Sequence, residues 1–152
     1  MPIHDKRFPG ESAEYRAARD RLLEAEVALR RLIESVAAQR RALPPGGALR
    51  EDYVFTEGPC DLDADGPETK TRFSELFGAH DTLMVYSLMY EDGGSPCPGC
   101  TSLLDGFQGN MPGIGERASI VVVAKAPVAK SRQWARLRGW RNLRLLSSAG
   151  TS

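Results

Sequence analysis

Sulfur and imidazole are scarce in this chain: three cysteines and two histidines in 152 residues. Three is an odd number, so a secreted scaffold stapled by paired disulfides is excluded. Long hydrophobic runs are missing too. The longest, Leu83 to Tyr90, is too short to span a bilayer, and Met1-Pro2-Ile3-His4-Asp5-Lys6-Arg7 lacks the apolar stretch of an export signal. The reading that follows is a cytoplasmic protein with no membrane partner, in a compartment where thiols are normally reduced. Net charge is absent as well, because twenty basic residues cancel twenty acidic ones. Several catalytic signatures are lacking. Gly109-Asn110-Met111-Pro112-Gly113-Ile114-Gly115 is glycine-rich but carries neither a dinucleotide fingerprint nor the Lys-Ser/Thr of a phosphate loop. No Gly-x-Ser-x-Gly elbow and no His-Glu-x-x-His pair occurs.

The charge that is present is unevenly spread. From Arg117 onward there are eight basic residues and no Asp or Glu, while acidic residues concentrate between Glu51 and Asp105. No aromatic or glycine pattern of a nucleic-acid module accompanies them, so no nucleic-acid partner is expected. The simpler reading is that the two halves face each other in the fold, or that an acidic segment is missing.

The most informative residues are Cys97-Pro98-Gly99-Cys100, directly after the apolar run. A strand, a polar turn from Glu91 to Pro96, then Cys-x-x-Cys opening a helix is the setting of thiol–disulfide exchange. Pro98 suits the first helical position, where its missing N–H is harmless. The free N–H groups and dipole of the helix end favour a thiolate on Cys97, the expected attacking group. Cys100, one turn further in, would resolve the mixed disulfide. Asp105 is a weak candidate for an acid/base near the buried thiol. Two alternatives remain open. The cysteines could be inert packing residues, or Cys60 and His80 could complete a zinc site with them, although that spacing is poor for zinc.

Along the chain, residues 1–11 read as a flexible leader and 12–43 as a helical arm. Ser12 is a plausible N-cap, and Tyr15, Ala18, Leu22, Ala25, Leu29, Leu32 and Val36 alternate three and four apart up to Pro44-Pro45-Gly46-Gly47. The stripe fits an arm packed on its own domain, or a homodimer formed through residues 12–42. Asp52–Phe55 is a short strand, and Gly58–Pro67 a loop. Asp61, Asp63, Asp65 and Gly66 imitate the start of a calcium loop, but Arg72 stands where the closing Glu belongs. Ser74 caps one turn ending at Gly78. Asp81–Tyr90 is apolar on both faces and reads as a central strand. The helix from Cys97 reaches about Gln108, and Ser119–Ala124 forms a parallel strand. Val128–Arg138 is a helix with Trp134 and Leu137 inward, and Leu143–Leu146 is a last strand. The whole is an α/β protein.

Tyr86-Ser87-Leu88-Met89-Tyr90, Cys97 to Gly106, Val121 to Pro127 and Arg138 to Ser148 together resemble a bacterial thioredoxin-like family of unknown function, domain of unknown function 899. So do Arg41 to Pro44, Asp52 to Phe55 and Leu76-Phe77. The resemblance implies a thioredoxin-like fold over residues 48–152. It also implies a member truncated at its C-terminus, lacking the antiparallel strands, their cis-proline and the final helix. The function read from these residues is a thiol–disulfide oxidoreductase or redox-responsive protein using Cys97 and Cys100, with Pro98, Gly99 and Asp105 supporting. No cofactor is implied. The partner would be a protein or a small thiol, and the alternative is a non-catalytic protein that self-associates through its N-terminal helix.

Overall fold

The computed structural model describes residues 5–151, so His4 lies outside the described residues. The chain divides into two units, Met1–Ala48 and Leu49–Ser152. In the first, helix α1 spans Ala13–Arg41. Ser12 caps it as expected, its Oγ accepting the Tyr15 N–H at 3.1 Å. Glu14 in the first turn and Arg40 and Arg41 in the last complement the helix dipole. No residue of α1 is buried, and Leu22, Leu29, Leu32 and Val36 all lie exposed.

The second unit carries β1 (Val54–Glu57), β2 (Thr69–Arg72), a 3-10 turn (Phe73–Phe77), β3 (Leu83–Leu88), α2 (Pro98–Ile114), β4 (Ser119–Ala124), α3 (Val128–Arg138) and β5 (Arg144–Ser147). The five strands form one sheet in the order β2-β1-β5-β4-β3. β3, β4 and β5 run parallel, with Val85 opposite Val121 and Val123 opposite Leu146. β1 is antiparallel to β5, and β2 is antiparallel to β1. The fold is therefore a mixed α/β sheet, as the strand–helix alternation predicts.

Side chains alternate across the sheet, so it has two distinct faces. On one, Leu88, Ile120, Val122, Ala124 and Leu145 pack with Leu104 and Met111 of α2, Ala135 of α3, and Trp140. On the other, Val121 and Leu146 pack with Leu76 of the 3-10 turn, flanked by Phe55, Phe73, Leu83 and Val123. Register places Glu57 opposite Leu146, and paired residues share a face. Glu57 is held there by Arg144 at 2.6 and 2.8 Å and by the Thr71 hydroxyl at 2.9 Å.

Several expectations need correction. β3 is an edge strand rather than a central one: among the described residues β4 is its sole sheet neighbour, and Met84 and Val85 stay exposed. Apolar character on both faces reported what the strand could bury, not how many neighbours it has. β2 is too polar to be read from periodicity and is held by backbone pairing to β1. The turn before β3 is capped otherwise than expected. Ser74 donates to the Asp52 carboxylate through both N–H (2.9 Å) and hydroxyl (2.7 Å), while the Glu75 carboxylate accepts the Arg72 N–H at 2.7 Å.

α2 runs through Pro112 instead of ending near Gln108. Proline removes the N–H that would bond the carbonyl four residues back. Asn142 supplies a substitute, its side-chain amide donating to the Gln108 carbonyl at 3.4 Å and its N–H to Gln108 Oε1 at 2.9 Å. In α3, Leu137 points outward at 72% exposure, and the buried stripe is Val128, Ser131, Arg132 and Ala135. Gly139 ends the helix at φ 72°, a left-handed position that favours glycine.

The charge asymmetry finds its explanation inside the fold. Arg141 pairs with Asp63 at 2.6 Å, Lys125 with Glu91 at 3.2 Å, Lys130 with Asp92 at 2.5 Å, and Arg138 with Asp105. Arg132 is buried without a carboxylate. Its guanidinium donates to the carbonyls of Pro59, Asp61, Leu62 and Ala64, and Arg136 adds a bond to Leu62 O at 2.6 Å. The acidic, glycine-rich loop is thus tied to α3 through its backbone, so its main-chain acceptors are satisfied without regular structure.

Candidate redox site

β3 delivers the chain to its carboxyl end, and the 91–96 loop turns it into α2. Two bonds set the turn: the Cys97 N–H donates to Met89 O at 3.0 Å, and the Ala126 N–H to Tyr90 O at 2.9 Å. Lys125 and Lys130 hold Glu91 and Asp92 of the loop from the β4 end and from α3. Cys97 is then the N-cap residue of α2, with Pro98 at its first turn, as expected. Its carbonyl accepts the Thr101 N–H at 2.9 Å, closing the first turn around the dithiol. Thr101 is buried, and its hydroxyl accepts from Trp134 Nε1 at 3.3 Å, which pins this turn to α3.

The two thiols lie in different environments. Cys97 is half-buried and Cys100 is buried at 6% exposure, both free. A Cβ on Gly99 would stand 3.8 Å from Cys97 Sγ, an ordinary contact, so this position tolerates a side chain without crowding the outer thiol. Cys100 faces the hydroxyl of Tyr86, and that bond is the largest influence holding its thiol below the ordinary 9.0. The Met89 N–H acts in the same direction, burial opposes both, and the Cys97 thiol and the Cys100 N–H add smaller downward pulls. Tyr86 moves the opposite way. The bond to Cys100, then burial, then the negative charge of the thiolates push its phenol up to about 12. It therefore keeps its proton beside the buried sulfur.

Tyr86 is the site residue that sequence reasoning missed. Period two puts it on the face of Leu88 and Tyr90, and the signal was available there. That Cys100 sits over that face is decided by how α2 packs.

Asp105 takes a different place from the one expected. Its Oδ1 accepts from Trp140 Nε1 at 2.7 Å and from Arg138 Nε at 3.2 Å, and its Oδ2 pairs with Arg138. The Arg138 bond, then the Trp140 bond, hold its carboxyl below the ordinary 3.8. A carboxylate so occupied fastens α2 to α3 and is a poor proton shuttle. The zinc alternative is not assembled: among the described residues no group of three or more His, Cys, Asp or Glu could hold a metal ion. Cys60 is exposed, and His80 Nδ1 meets Ser119 Oγ at 3.1 Å. No helix among the described residues is long and apolar enough to cross a membrane.

A cleft of about 610 Å³ opens at the carboxyl ends of β3 and β4, beside the loop that precedes Cys97. Met89, Val123 and Lys125 line it together with Gly94 and Ser95, and neither Cys97 nor Cys100 does. Crevices outside the carboxyl ends of parallel strands are common ligand sites.

No curated protein and no solved structure matches the chain. A family profile does match, over residues 5–152, and it spans the arm, the strand-to-helix turn and both cysteines. The chain belongs to that family, the bacterial proteins of unknown function DUF899.

Proposed function

We propose that this protein is a thiol–disulfide exchange protein with a thioredoxin-like core, working through Cys97 and Cys100. The observation that carries the reading is the arrangement at the head of α2. An accessible thiol is the N-cap residue, a proline sits in the first turn, and one turn on, a second thiol is buried against the sheet.

In the reducing direction the Cys97 thiolate attacks one sulfur of a partner disulfide. The partner S–S bond breaks, its distal sulfur leaves as a thiolate, and a mixed disulfide with Cys97 remains. The Cys100 thiolate then attacks Cys97 Sγ, releasing the second partner thiolate and forming the Cys97–Cys100 bond. Two electrons pass from the dithiol to the partner, and the released thiolates take protons from solvent. A protein dithiol or a small-molecule thiol restores the reduced pair by the reverse sequence.

Each residue has a part in this. Cys97, half-buried at the N-cap of α2, is the thiol a partner disulfide can reach. The Tyr86 hydroxyl favours the Cys100 thiolate while keeping its own proton, which eases the resolving step. Pro98 fixes the backbone between the sulfurs.

The test is a titration of the purified chain in glutathione redox buffers, with thiols trapped by alkylation and the 97–100 peptide read by mass spectrometry. A reversible transition at a defined potential supports the reading, with Cys97→Ser abolishing disulfide reduction and Cys100→Ser accumulating mixed disulfides. Cysteines that never pair, or that alkylate equally and slowly, overturn it.

A further inference from the structure

The redox reading leaves α1 without a role. This helix spans 29 residues and buries none of them. Its exposed stripe of Tyr15, Ala18, Leu22, Ala25, Leu29, Leu32 and Val36 steps alternately by three and four, a mean period of 3.5. That is the period of a seam between two supercoiled helices, whereas a helix lying on a sheet drifts at 3.6. With Tyr15 at the first seam position of its heptad, the flanking positions can be read directly. Glu14, Arg21 and Ala28 lie on one side of the seam, and Arg19, Glu26 and Ile33 on the other.

We propose that α1 pairs with α1 of a second copy in a parallel, in-register two-stranded coiled coil. In that arrangement each residue on the first flank meets the one five positions later on the second flank of its partner. Glu14 meets Arg19, Arg21 meets Glu26, and Ala28 meets Ile33: two opposite-charge pairs and one apolar pair, each formed twice by symmetry. Glu14 and Arg21 make no ion pair among the described residues, while Arg19 and Glu26 meet only each other, exposed, at 3.0 Å along the same helix. An antiparallel arrangement sets like flank against like flank and forms none of these pairs. Gln39 continues the seam spacing after Val36, and a polar seam residue penalises slipped registers. Leu29, Leu32, Ile33 and Val36 already line a shallow apolar groove, into which the matching leucines of a partner would fit.

The test uses the full chain under reducing conditions, so that Cys60 cannot link molecules, with mass measured by light scattering or sedimentation over a concentration series. The wild-type chain is expected to dimerise, and Leu29→Glu to raise the dissociation constant by more than about tenfold. Two charge variants read the orientation. Glu14→Arg with Arg21→Glu reverses one flank, and Arg19→Glu with Glu26→Arg reverses the other. Each alone sets like charges across the seam and weakens the dimer; mixed in equal amounts, the two variants regain all four attractive pairs and form a heterodimer. Circular dichroism of each variant checks that α1 remains helical. A wild-type chain that stays monomeric at about 100 μM, for which the stripe is covered by its own chain, overturns the proposal. So does a dimer indifferent to Leu29→Glu, and so does a mixture that fails to reassociate.

Discussion

On the face of the sheet that carries Tyr86, Leu88, Ile120, Val122 and Leu145, two helices close over the strands and twelve residues are buried in one cluster. On the opposite face, among the described residues of this unit, the 3-10 turn packs, and the buried apolar cluster is Leu76, Val121 and Leu146. Val85, Ser87 and Met89 continue that second face along β3 and remain in solvent. Both thiols of the candidate site belong to the closed face. Cys100 is buried because α2, which carries it, lies against that face of the sheet. The second face is instead held at the β1–β5 seam by a polar clamp, Glu57 with Arg144 and Thr71. Burial alone would raise the Glu57 carboxyl, and the Arg144 and Thr71 bonds outweigh it, so the group sits below its ordinary 4.5.

The contrast can be broken most severely from the closed side. Trp140 is fully buried, and its indole N–H is bonded to Asp105. Trp140→Ala is expected to lower stability by about 3–5 kcal/mol in urea unfolding. A loss below ~1 kcal/mol would show that the cluster is not the main source of stability.

The next effect is on the second face. Glu57→Gln should lose about 1–3 kcal/mol at pH 7, less than a fully buried pair because Arg144 keeps 34% of its side chain exposed. The sign of its pH dependence follows from the lowered carboxyl. The stabilisation is complete above pH 4.5 and is lost as pH falls through the lower folded value. Unfolding curves from pH 7 to pH 3 should therefore fall more steeply in the wild type than in Glu57→Gln. Identical slopes would mean that the clamp is not formed in solution.

Tyr86→Phe sharpens the comparison at the site itself. Removing the hydroxyl should raise the Cys100 thiol towards 9.0 and shift the pH profile of its alkylation upward, with a stability change of about 1 kcal/mol. An unmoved profile would detach Tyr86 from the thiol. The smallest effect is expected at Val85→Ser on the open face, within about 0.5 kcal/mol. A larger loss would mean that this face is covered in solution.

How much was legible beforehand depended on the range of the interaction. Ser12, Pro98 and Gly139 act within a turn of their own positions, so the start of α1, the opening of α2 and the end of α3 could be read along the chain. Val128–Arg138 was read with its observed bounds for that reason. The end of α2 was placed too early, near Gln108, because the remedy for Pro112, Asn142, lies thirty residues on and across the fold. Leu137 was misread because helical spacing admits more than one inward stripe, and Arg132 took the buried place by bonding four carbonyls of a distant loop. At the site the same division holds. The Cys-x-x-Cys pair and its helix were visible, whereas Tyr86 entered and Asp105 left through contacts between elements.

By itself the sequence determined the start of α1, the opening of α2, the bounds of α3 and the apolar stripe on α1, since these rest on neighbours a few residues apart. Only the tertiary structure decided that β3 lies at the sheet edge, which carboxylate each basic residue of the last third meets, and that a tyrosine lies beside the inner thiol. Hydrophobic periodicity records which side of a segment avoids water, and it carries no information about which distant segment will cover it.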